Sequence, residues 1–391
     1  MKTNDNSKYQ GKHILIADGR ARQSLPIMRA YKKLGCTVSA LCASKLDVAY
    51  ASRYADHKIL GVCENELPSE TANQILELLK SGKYDVVVPT ADFSACLLSQ
   101  HKEEFSKYAK VASCDIETFS IAMDKVATMK VCMENDIPCP KTVLGAESIE
   151  DVLSNGLEFP IAVKPRVGYG AIGFKRVDDA DSLKKLFECK DNKVSEYVFQ
   201  EFIPQTDIQY ECAMFVDNNN EVKTSLVFSK NRWFPINGGS STLNITVERP
   251  DIVESCTKLL RTINWRGSAD IDLIVDPRDN VAKIMEINPR MSGSVKICFD
   301  AGVDQARQTL EAVFGDEVTE YKTYEIGRRL RCSQTDILWF FKSPNRFKAK
   351  PSWFSIYKTR DQIFTWSDPL PYIAFSLSGL LKYKSEMKKR Q

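Results

Sequence analysis

The sequence predicts a mixed fold, with a doubly wound α/β domain at its amino terminus and an α+β region after it. Short apolar strands alternate with amphipathic helices up to about residue 115, and this pattern changes from residue 116. With 391 residues, the chain is long enough for two or three domains, at roughly 100 to 200 residues each. Its 43% hydrophobic and 27% charged residues are ordinary for a globular protein. This composition excludes a disordered tail protein and a disulfide-stapled miniprotein.

The amino-terminal domain is predicted over residues 1–115. Strands are expected at 13–17, 37–42, 85–88 and 110–112, and a helix is expected to begin at Ser24 and to end at Gly35. Strands that alternate with helices indicate a parallel sheet covered on both faces. The turn Asp18-Gly19-Arg20 lacks the GxGxxG pattern, so no dinucleotide site is expected. The polar first dozen residues lack the apolar core of a secretory signal, and we therefore expect a cytoplasmic protein.

Histidine and cysteine usage limits the chemistry of the later region. The three histidines are His13, His57 and His101, so no imidazole follows residue 101. The twelve cysteines form no CxxC pair and no cluster with histidine, which indicates free thiols rather than a zinc site. A metal in the later region would therefore take oxygen ligands, which favours Mg²⁺ or Mn²⁺.

Residues 116–320 are predicted to form a second domain with two parts. The first, at about 140–200, is a small α+β subdomain after a helix that runs through 123–135 and is ended by prolines. Its strands are expected at 141–144, 160–164, 174–177 and 197–202, with helices from a capping box at 148–151 and over 181–187. The second part, at about 205–320, contains a hairpin through 218–220, an amphipathic helix over 252–263 and a pair of strands.

The pair of strands carries Asp272 on one strand and Glu286 and Asn288 on the other. Side chains alternate along a strand, so Glu286 and Asn288 share a face, and a turn at 277–280 brings Asp272 beside Glu286. Two carboxylates on neighbouring strands, roughly 5 to 8 Å apart, can hold a cation between them. Adjacent like charges destabilise a sheet unless a cation neutralises them, so we predict a hard-cation site rather than a solvated face.

Two weaker signals precede this hairpin. Lys164 ends an apolar strand, and the loop after it contains three glycines, Gly168, Gly170 and Gly173. Such a loop suits a flap whose backbone amides approach phosphate, although a plain hairpin turn is an equal alternative and no Walker A lysine follows. The strand from Gln200 to Ile203 ends at a proline and offers backbone groups to a flat ring such as adenine, with a simple linker as the alternative.

The order and spacing of these segments resemble the ATP-grasp superfamily over residues 12–315. Within it, the sequence from Met285 to Arg290, followed by Ser292-Gly293-Ser294 and later 301–303, is most similar to carboxylate-amine ligases related to the carbamoyl phosphate synthetase large subunit. The resemblance implies an ATP-grasp fold, with a small lid subdomain and a larger metal-binding subdomain. It implies ATP and Mg²⁺, with Mn²⁺ as an alternative, and small-molecule carboxylate and amine substrates. The carboxylate would be phosphorylated to an acyl phosphate and joined to the amine, with release of ADP and phosphate.

The same resemblance assigns roles to residues. Lys125 and Lys164 would contact the nucleotide phosphates. The glycine loop would cover the transferred phosphate. The nucleoside would be bound by the hinge residues Gln200, Glu201, Phe202 and Ile203 and by Asp207, where the family usually has glutamate. Asp272 and Glu286 would hold one Mg²⁺, and Glu286 and Asn288 a second. Arg290 would face the developing acyl phosphate, with Lys164 as the other catalytic residue. Segments 229–233 and 238–241 occupy the place of phosphate or substrate contacts, or form a surface loop.

Alternatives to a carboxylate-amine ligase stay open. A bicarbonate-phosphorylating enzyme of the carbamoyl phosphate synthetase type is weakened because no glutaminase domain is expected in this chain. A nucleotide-binding, membrane-associated protein without turnover is disfavoured by the complete set of Asp272, Glu286 and Asn288. The branch that phosphorylates a histidine is disfavoured because no histidine follows residue 101.

Residues 321–391 form a basic, aromatic-rich extension. It holds 15 Lys and Arg against 5 Asp and Glu, a net charge of +10, against −7 for residues 1–320. Docking on the body through its aromatic residues is favoured, weak peripheral contact with an anionic membrane is the alternative, and nucleic-acid binding is not expected. The apolar run 369–381 is shorter than the ~20 residues that span a bilayer. A homo-oligomer is compatible with the sequence.

Overall fold

A computed structural model describes residues 6–63, 65, 67–168, 173–188, 193–205, 208–236 and 238–388. The described strands are β1 (His13–Ile16), β2 (Thr37–Cys42), β3 (His57–Leu60), β4 (Val86–Val88), β5 (Lys110–Val111), β6 (Ile161–Pro165), β7 (Lys175–Val177), β8 (Tyr197–Glu201), β9 (Gln209–Val216), β10 (Val222–Phe234), β11 (Ser240–Thr246), β12 (Gly267–Val275), β13 (Ala282–Asn288), β14 (Arg329–Arg331) and β15 (Thr359–Asp361).

The described helices are α1 (Ser24–Lys33), α2 (Val48–Ala51), α3 (Pro68–Lys80), α4 (Asp92–Gln100), α5 (Lys102–Phe105), α6 (Ile116–Met123), α7 (Lys125–Glu134), α8 (Ile149–Ser154), α9 (Ala180–Phe187), α10 (Pro250–Thr262), α11 (Lys296–Asp300), α12 (Gln305–Phe314), α13 (Ser333–Lys342) and α14 (Leu370–Lys388).

The amino-terminal region is a parallel sheet with the strand order β3-β2-β1-β4-β5. The predicted doubly wound arrangement is confirmed. Ile14, Leu15 and Ile16 of β1 are completely buried, as expected for a central strand with helices on both faces. The sequence analysis did not predict β3, because this edge strand is mostly exposed and lacks a continuous apolar run.

Asp124 divides the helix that was predicted to run through 123–135. α6 ends at Met123, and Asp124 takes an extended conformation with φ −92° and ψ 107°. Its carboxylate accepts hydrogen bonds from the amides of Val126 and Ala127, the exposed donors at the start of α7. The uninterrupted helix was therefore wrong, because an aspartate that caps a new helix is more stable there than inside one.

The small subdomain is a sheet in the order β7-β6-β8, with α8 and α9 packed on a core that includes Val152, Leu183 and Phe199. The predicted capping box is confirmed, since the amides of Ser148 and Asp151 each bond the other's side chain. The predicted strand at 141–144 is wrong. This segment pairs with β8 through an isolated bridge from Thr142 to Gln200, rather than as a regular strand.

The large sheet has the order β13-β12-β9-β10-β11-β14-β15. The predicted hairpin through 218–220 is confirmed as the turn between β9 and β10. In the hairpin of β12 and β13, Asp272 lies opposite Glu286, and Asp270 lies opposite Asn288. The register shifts after Asp272, since Leu273 pairs with Ile284 and leaves Met285 as an extra residue on β13.

The carboxyl-terminal extension completes this sheet. β14 pairs with β11, and β15 pairs with β14 in parallel. Trp339, Ile363 and Ala374 of the extension are buried, which confirms that it docks on the body. Two of its segments are thus strands of the central sheet, which the sequence analysis did not predict. The boundaries at 115 and 320 stay predictions. No helix among the described residues has the length and apolar character needed to cross a membrane.

Candidate active site

Three polar side chains meet on the face of the β12–β13 hairpin that points away from the core. Asp272 and Glu286 lie directly opposite each other, and the Asn288 Nδ2 atom donates to Asp272 Oδ2 at 3.0 Å. Their neighbours Ile271 and Leu273 are buried on the other face. The structure therefore brings together the three residues that the sequence analysis assigned to a cation site.

Lysines from two other segments neutralise these carboxylates. Lys230 of β10 pairs with Asp272 and lies 2.6 Å from Glu211 Oε1. Lys125, at the start of α7, lies 3.2 Å from Glu286 Oε2 and donates to the carbonyl of Gly168 at 2.7 Å. Burial lowers the pKa of Lys230, but Asp272 and Glu211 outweigh burial and raise that pKa above its usual range. Each carboxylate of the hairpin thus has a lysine as its counter-charge.

The donor set suits a hard cation that takes part of its coordination from other molecules. Among the described residues, no group of three or more His, Cys, Asp and Glu side chains could hold a metal ion. The hairpin instead offers two carboxylates and one amide, which are the oxygen ligands that Mg²⁺ prefers while keeping several outside ligands. Asn288 directs its Nδ2 to Asp272, and its Oδ1 accepts from Arg290 Nη2 at 3.1 Å. A half-turn of this amide would offer its oxygen to a cation.

Lys164 lies in β6, where it pairs with Val198 of β8. Burial is the main cause that lowers the pKa of Lys164, and the nearby positive charge of Lys125 adds to it. Glu286 and Asp272 oppose these effects, and the resulting pKa is about 8. Lys164 is thus influenced by the charge of Glu286, the carboxylate that Lys125 contacts. A phosphate group near it would favour the protonated form, because opposite charges stabilise each other.

The glycine loop begins beside these lysines. Gly168 accepts a hydrogen bond from Lys125 through its carbonyl, while Gly170 lies outside the described residues. Gly173 has φ +75°, and a Cβ atom there would lie 2.8 Å from the Cγ atom of Pro165. Only glycine fits this position without moving the end of β6.

The hinge is tied to the acidic hairpin by its side chains. Gln200 is buried and donates to Thr142 Oγ1 at 2.8 Å. The Glu201 carboxylate accepts from Arg278 Nη2 at 2.6 Å and from Lys283 Nζ at 3.1 Å, and its amide donates to the carbonyl of Lys141 at 2.9 Å. The carbonyl of Glu201, rather than its amide, is thus the backbone group that a ligand could use.

The other hinge residues differ in exposure. Ile203 is buried, and the guanidinium of Arg176 lies 4.8 Å from the ring centre of Phe202, a cation–π contact. Asp207, predicted at the ribose, lies outside the described residues.

Arg290 connects the hairpin to the amino-terminal domain. Its Nε atom lies 3.0 Å from Asp92 Oδ1, and its Nη1 atom lies 3.6 Å from Asp270 Oδ2. Burial lowers the pKa of Arg290, but Asp92 and Asp270 outweigh it and keep the guanidinium charged. Burial also raises the pKa of Asp270 well above its usual range, and Glu211 and Asp272 add to this effect.

Sequence reasoning missed three acidic residues of this site: Asp92, Asp270 and Glu211. Asp270 could have been found, since it precedes Asp272 by two residues and therefore lies on the same face of β12. Asp92 and Glu211 reach the site from separate elements, α4 and β9, and no local pattern marks them. Within the segment 229–233, Lys230 belongs to the site, whereas the Arg232 Nε atom bonds to buried Asp336 at 2.9 Å.

The carboxyl edge of the amino-terminal sheet borders Arg290. Asp18, directly after β1, holds the Nε and Nη2 atoms of Arg20 at 3.0 and 2.8 Å. Thr90, after β4, donates its hydroxyl to the carbonyl of Asp18. β1 and β4 flank the point where the strand order reverses, and in open α/β sheets ligands bind in the crevice at that point.

Comparisons with known proteins agree with this arrangement. The profile of the ATP-grasp domain family matches residues 122–294. The chain is 31% identical to D-aspartate ligase of Enterococcus faecium (strain Aus0004) over 256 residues, which cover 59% of each protein. It is 23% identical to the carbamoyl phosphate synthase large chain of Saccharolobus islandicus (strain L.S.2.15 / Lassen #1), over 60% of this chain and 23% of that protein. The chain thus spans well under two thirds of these relatives.

A solved structure shares most of the fold. The biotin carboxylase domain of Hydrogenobacter thermophilus 2-oxoglutarate carboxylase, in complex with MgADP, ADP and bicarbonate, superposes with a TM-score of 0.67. The match covers 82% of this chain and 73% of that one at 16% sequence identity, so it bears on the fold alone.

Proposed function

We propose that this chain, which contains an ATP-grasp domain, is an ATP-dependent ligase that joins a carboxylate to an amine and releases ADP and phosphate. The observation that carries the proposal is the hairpin of Asp272, Glu286 and Asn288, with Lys125 and Lys230 as counter-charges. The similarity to a D-aspartate ligase supports the same reaction class. Because the reaction consumes ATP, we propose the cytoplasm as its compartment.

The reaction needs positioning and charge neutralisation rather than a nucleophile from the protein. A carboxylate oxygen of the substrate attacks the γ-phosphorus of ATP, and ADP leaves. The nitrogen of the amine then attacks the acyl carbon, phosphate leaves, and the amine loses a proton. We propose that Lys125 and Lys164 hold the phosphates, and that Arg290 stabilises the acyl phosphate.

We propose that Asp272, Glu286 and Asn288 hold Mg²⁺, and Mn²⁺ meets the same oxygen ligands. The bound cation would neutralise phosphate oxygens as negative charge moves between them. Lys125 and Lys230 pair with these carboxylates. When a cation and ATP bind, each lysine could contact a phosphate instead, or keep its other partner, which is the carbonyl of Gly168 for Lys125 and Glu211 for Lys230. We further propose Gly168, Gly170 and Gly173 as the cover of the phosphates, and Gln200, Glu201, Phe202, Ile203 and Asp207 as the nucleoside site.

The two small-molecule substrates have a natural place between the hairpin and the amino-terminal domain. Arg290 bridges Asp270 on the hairpin and Asp92 at the start of α4, beside the crevice marked by Asp18 and Arg20. A carboxylate there can approach both Arg290 and the phosphates. An amine can be oriented by the acidic residues of the same crevice. This arrangement explains why the amino-terminal domain would be needed for turnover.

The proposal is tested by measuring ADP release with MgATP and pairs from a panel of carboxylates and amines, D-aspartate among them. We expect release that requires both members of a pair. With ¹⁸O in the carboxylate, the released phosphate should carry one ¹⁸O atom. Formation of AMP and pyrophosphate, or phosphate without ¹⁸O, would contradict the acyl phosphate. ADP release with bicarbonate alone would favour the bicarbonate-phosphorylating alternative, and nucleotide binding without any turnover would favour the non-catalytic one.

A further inference from the structure

The outward side of α14 carries a continuous apolar stripe. Its residues are spaced by three, four, three and one positions, which places them on one side of a helix, and each is between 48% and 76% exposed: Leu370, Ile373, Leu377, Leu380 and Leu381. An apolar helix side of this kind is normally buried in a contact, since removing large apolar groups from water lowers the free energy.

The inward side of α14 is already packed, so the stripe is not the docking face of the helix. Tyr372 and Phe375 pack against the core shared by the amino-terminal domain and the large sheet, and Ala374 is buried. Tyr372 also bonds through its hydroxyl to Ser333 Oγ at 3.2 Å. With this side occupied, the stripe faces away from the protein.

The residues just before α14 fix its position on the body. Buried Asp368 accepts from Arg29 Nη2 at 3.0 Å, from the hydroxyl of Ser52 at 2.6 Å and from the amide of Arg53 at 3.0 Å. Three partners on one carboxylate hold the start of the helix firmly. The outward stripe is therefore a feature of the docked, folded chain.

Trp366 is a further exposed apolar side chain, four residues before the start of the helix. Its side chain is 90% exposed, and its ring lies 5.0 Å from that of Phe364. Tryptophan favours the boundary between water and lipid, where its apolar ring and its polar N–H are both accommodated. We call Trp366 and the five stripe residues the outer surface of α14.

Basic residues accompany this apolar surface. The extension carries a net charge of +10, and the sequence of α14 continues through Lys382, Lys384 and Lys388. Four exposed basic residues of the extension have no carboxylate within 4.0 Å in the described part of the chain: Lys342, Lys348, Lys350 and Arg360. The extension thus combines an exposed apolar helix side with positive charges that lack a carboxylate partner, a combination typical of a protein region that meets an anionic bilayer.

We propose that the outer surface of α14 binds peripherally to anionic membranes. The leucines and Trp366 enter the boundary between headgroups and acyl chains, and the lysines remain at the lipid phosphates. Leucines offer nucleic acid neither stacking nor hydrogen bonds, which makes a bilayer the better partner. Binding of this kind is weak, reversible and sensitive to salt. It would hold the ATP site close to a membrane surface without a spanning helix.

The test is co-sedimentation of the full chain with vesicles of phosphatidylcholine containing phosphatidylglycerol, and with phosphatidylcholine alone. We expect binding to the anionic vesicles only, with loss of most binding at high salt. Leu377→Glu/Leu380→Glu should reduce binding at least about tenfold, because it buries two charges in the membrane boundary. A chain that ends at Leu381 lacks five of the basic residues of the extension and should bind the anionic vesicles more weakly than the full chain does.

The matched control is Leu60→Glu/Met133→Glu, which places the same charges at exposed apolar positions outside the extension. It should bind vesicles as the parent does, and the two double variants should melt at about the temperature of the parent, because each of the four substituted residues is exposed. No binding at low salt, or equal binding by the α14 variant, would overturn the proposal. A dimer that dissociates in the α14 variant, without vesicle binding by the parent, would assign the surface to a second copy of the chain.

Discussion

Lys125, Lys164 and Lys230 lie around two opposed carboxylates, Asp272 and Glu286. Lys230 and Lys125 pair with these carboxylates, which offsets the repulsion expected of adjacent acids in a sheet. The sequence analysis predicted the acids and required a cation to stabilise them. The structure shows that lysines from α7 and β10 also pair with these acids.

Lys164 makes nucleotide affinity depend on pH. Its pKa of about 8 means that the nucleotide-free protein loses this charge at lower pH than an ordinary lysine does. Bound phosphates favour the charged form, so nucleotide binding takes up a proton above pH 8. We expect the affinity for a nonhydrolysable ATP analogue to fall above pH 8, by at most about tenfold per pH unit, until the pH reaches the higher pKa that Lys164 has in the complex. Calorimetric titrations at pH 7, 8 and 9 measure this.

Lys164→Arg is the control for this pH dependence, since a guanidinium stays charged throughout the range. The affinity of this variant for the ATP analogue should stay constant between pH 7 and 9, whereas that of the parent falls. An equal slope in both proteins would assign the titration to another group. The lowered pKa of Lys164 also makes stability depend on pH. Between pH 8 and about 10.4 this lysine holds its proton in the unfolded chain but not in the folded one, so the free energy of unfolding rises with pH in this range.

Residues of the candidate site were predictable from the sequence where one strand or one turn carries the signal. Asp272, Glu286 and Asn288 follow from strand alternation and the turn between them. Asp92 does not, because its contact with Arg290 joins segments that are far apart in the chain. Glu211 contacts Lys230 across the β9–β10 hairpin, but the sequence analysis predicted only the turn of that hairpin and not the register of its strands. Arg232 lies in the segment 229–233, for which the sequence analysis considered phosphate or substrate contacts. Its guanidinium instead pairs with the buried Asp336 of the extension.

The turn between β12 and β13 joins the acidic hairpin to the hinge. Asp276 has no exposed surface, and its carboxylate accepts from Lys283 Nζ at 2.7 Å and from Arg278 Nε at 2.8 Å. The same two basic residues also bond to Glu201 at the end of β8. Four charged side chains thus fix the small subdomain relative to the hairpin.

Asp276→Asn should destabilise this junction. The hydrogen bonds from Arg278 hold the pKa of Asp276 below its usual range, burial opposes them, and Lys283 lowers the pKa further. We expect a loss of about 2 kcal/mol in the free energy of unfolding at pH 7, since a charged hydrogen-bond partner is removed. A depressed carboxyl pKa contributes stability above about pH 4 that disappears as the pH falls, so the difference should shrink in acid.

Denaturant titrations at pH 7 and at pH 3 measure this difference. Asp279→Asn is the matched control, because Asp279 is half exposed and its nearest cation, Lys283, lies 3.8 Å away. We expect it to change the free energy of unfolding by less than about 0.5 kcal/mol. Equal effects of the two substitutions would show that the buried contacts of Asp276 add no stability.

Most of the elements that were predicted lie within a few residues of an observed one, and the errors among them have local causes. The break at Asp124 depends on capping hydrogen bonds that compete with a continuous helix. The strand expected at 141–144 is reduced to one bridge with Gln200, although Val143 and Lys141 still bond to β8. Periodicity alone does not distinguish these outcomes, since the apolar pattern is the same in each.

On the scale of the whole molecule, the extension is part of the central sheet. Arg232 of β10 and Asp336 of α13 are both buried and bond to each other at 2.9 and 3.1 Å. Asp336 also accepts from Thr242 of β11 at 2.7 Å. Burial raises the pKa of Asp336, and the nearby guanidinium of Arg232 opposes that rise. The extension is thus joined to the sheet by a buried ion pair as well as by strands.

Asp336→Ala should lower the free energy of unfolding by about 3 to 5 kcal/mol, because it leaves the Arg232 guanidinium buried without its main partner. The double variant Arg232→Met/Asp336→Leu should lose less than Asp336→Ala, since no unpaired charge remains. Denaturant titrations measure both. Arg360→Ala, at an exposed position, is the control. A loss below about 1 kcal/mol for Asp336→Ala would show that the ion pair does not hold the extension.

The sequence predicted that the extension docks, but not that it supplies strands. Its charge and aromatic content describe composition, whereas pairing of β14 with β11 depends on three residues, Arg329 to Arg331, with no strand-like apolar run. The amino-terminal domain was easier to predict, because its strands β1, β2 and β4 are buried and largely apolar. A short strand at a sheet edge leaves little local signal.

The central claim is that the β12–β13 hairpin holds a cation together with ATP. Glu286→Ala removes the ligand proposed for both cations, and its direct measure is ATP turnover with the carboxylate and amine substrates present. We expect a loss of more than about 100-fold with the melting temperature retained, while Asp279→Asn keeps the parent activity. Turnover by Glu286→Ala within a few-fold of the parent would contradict the account.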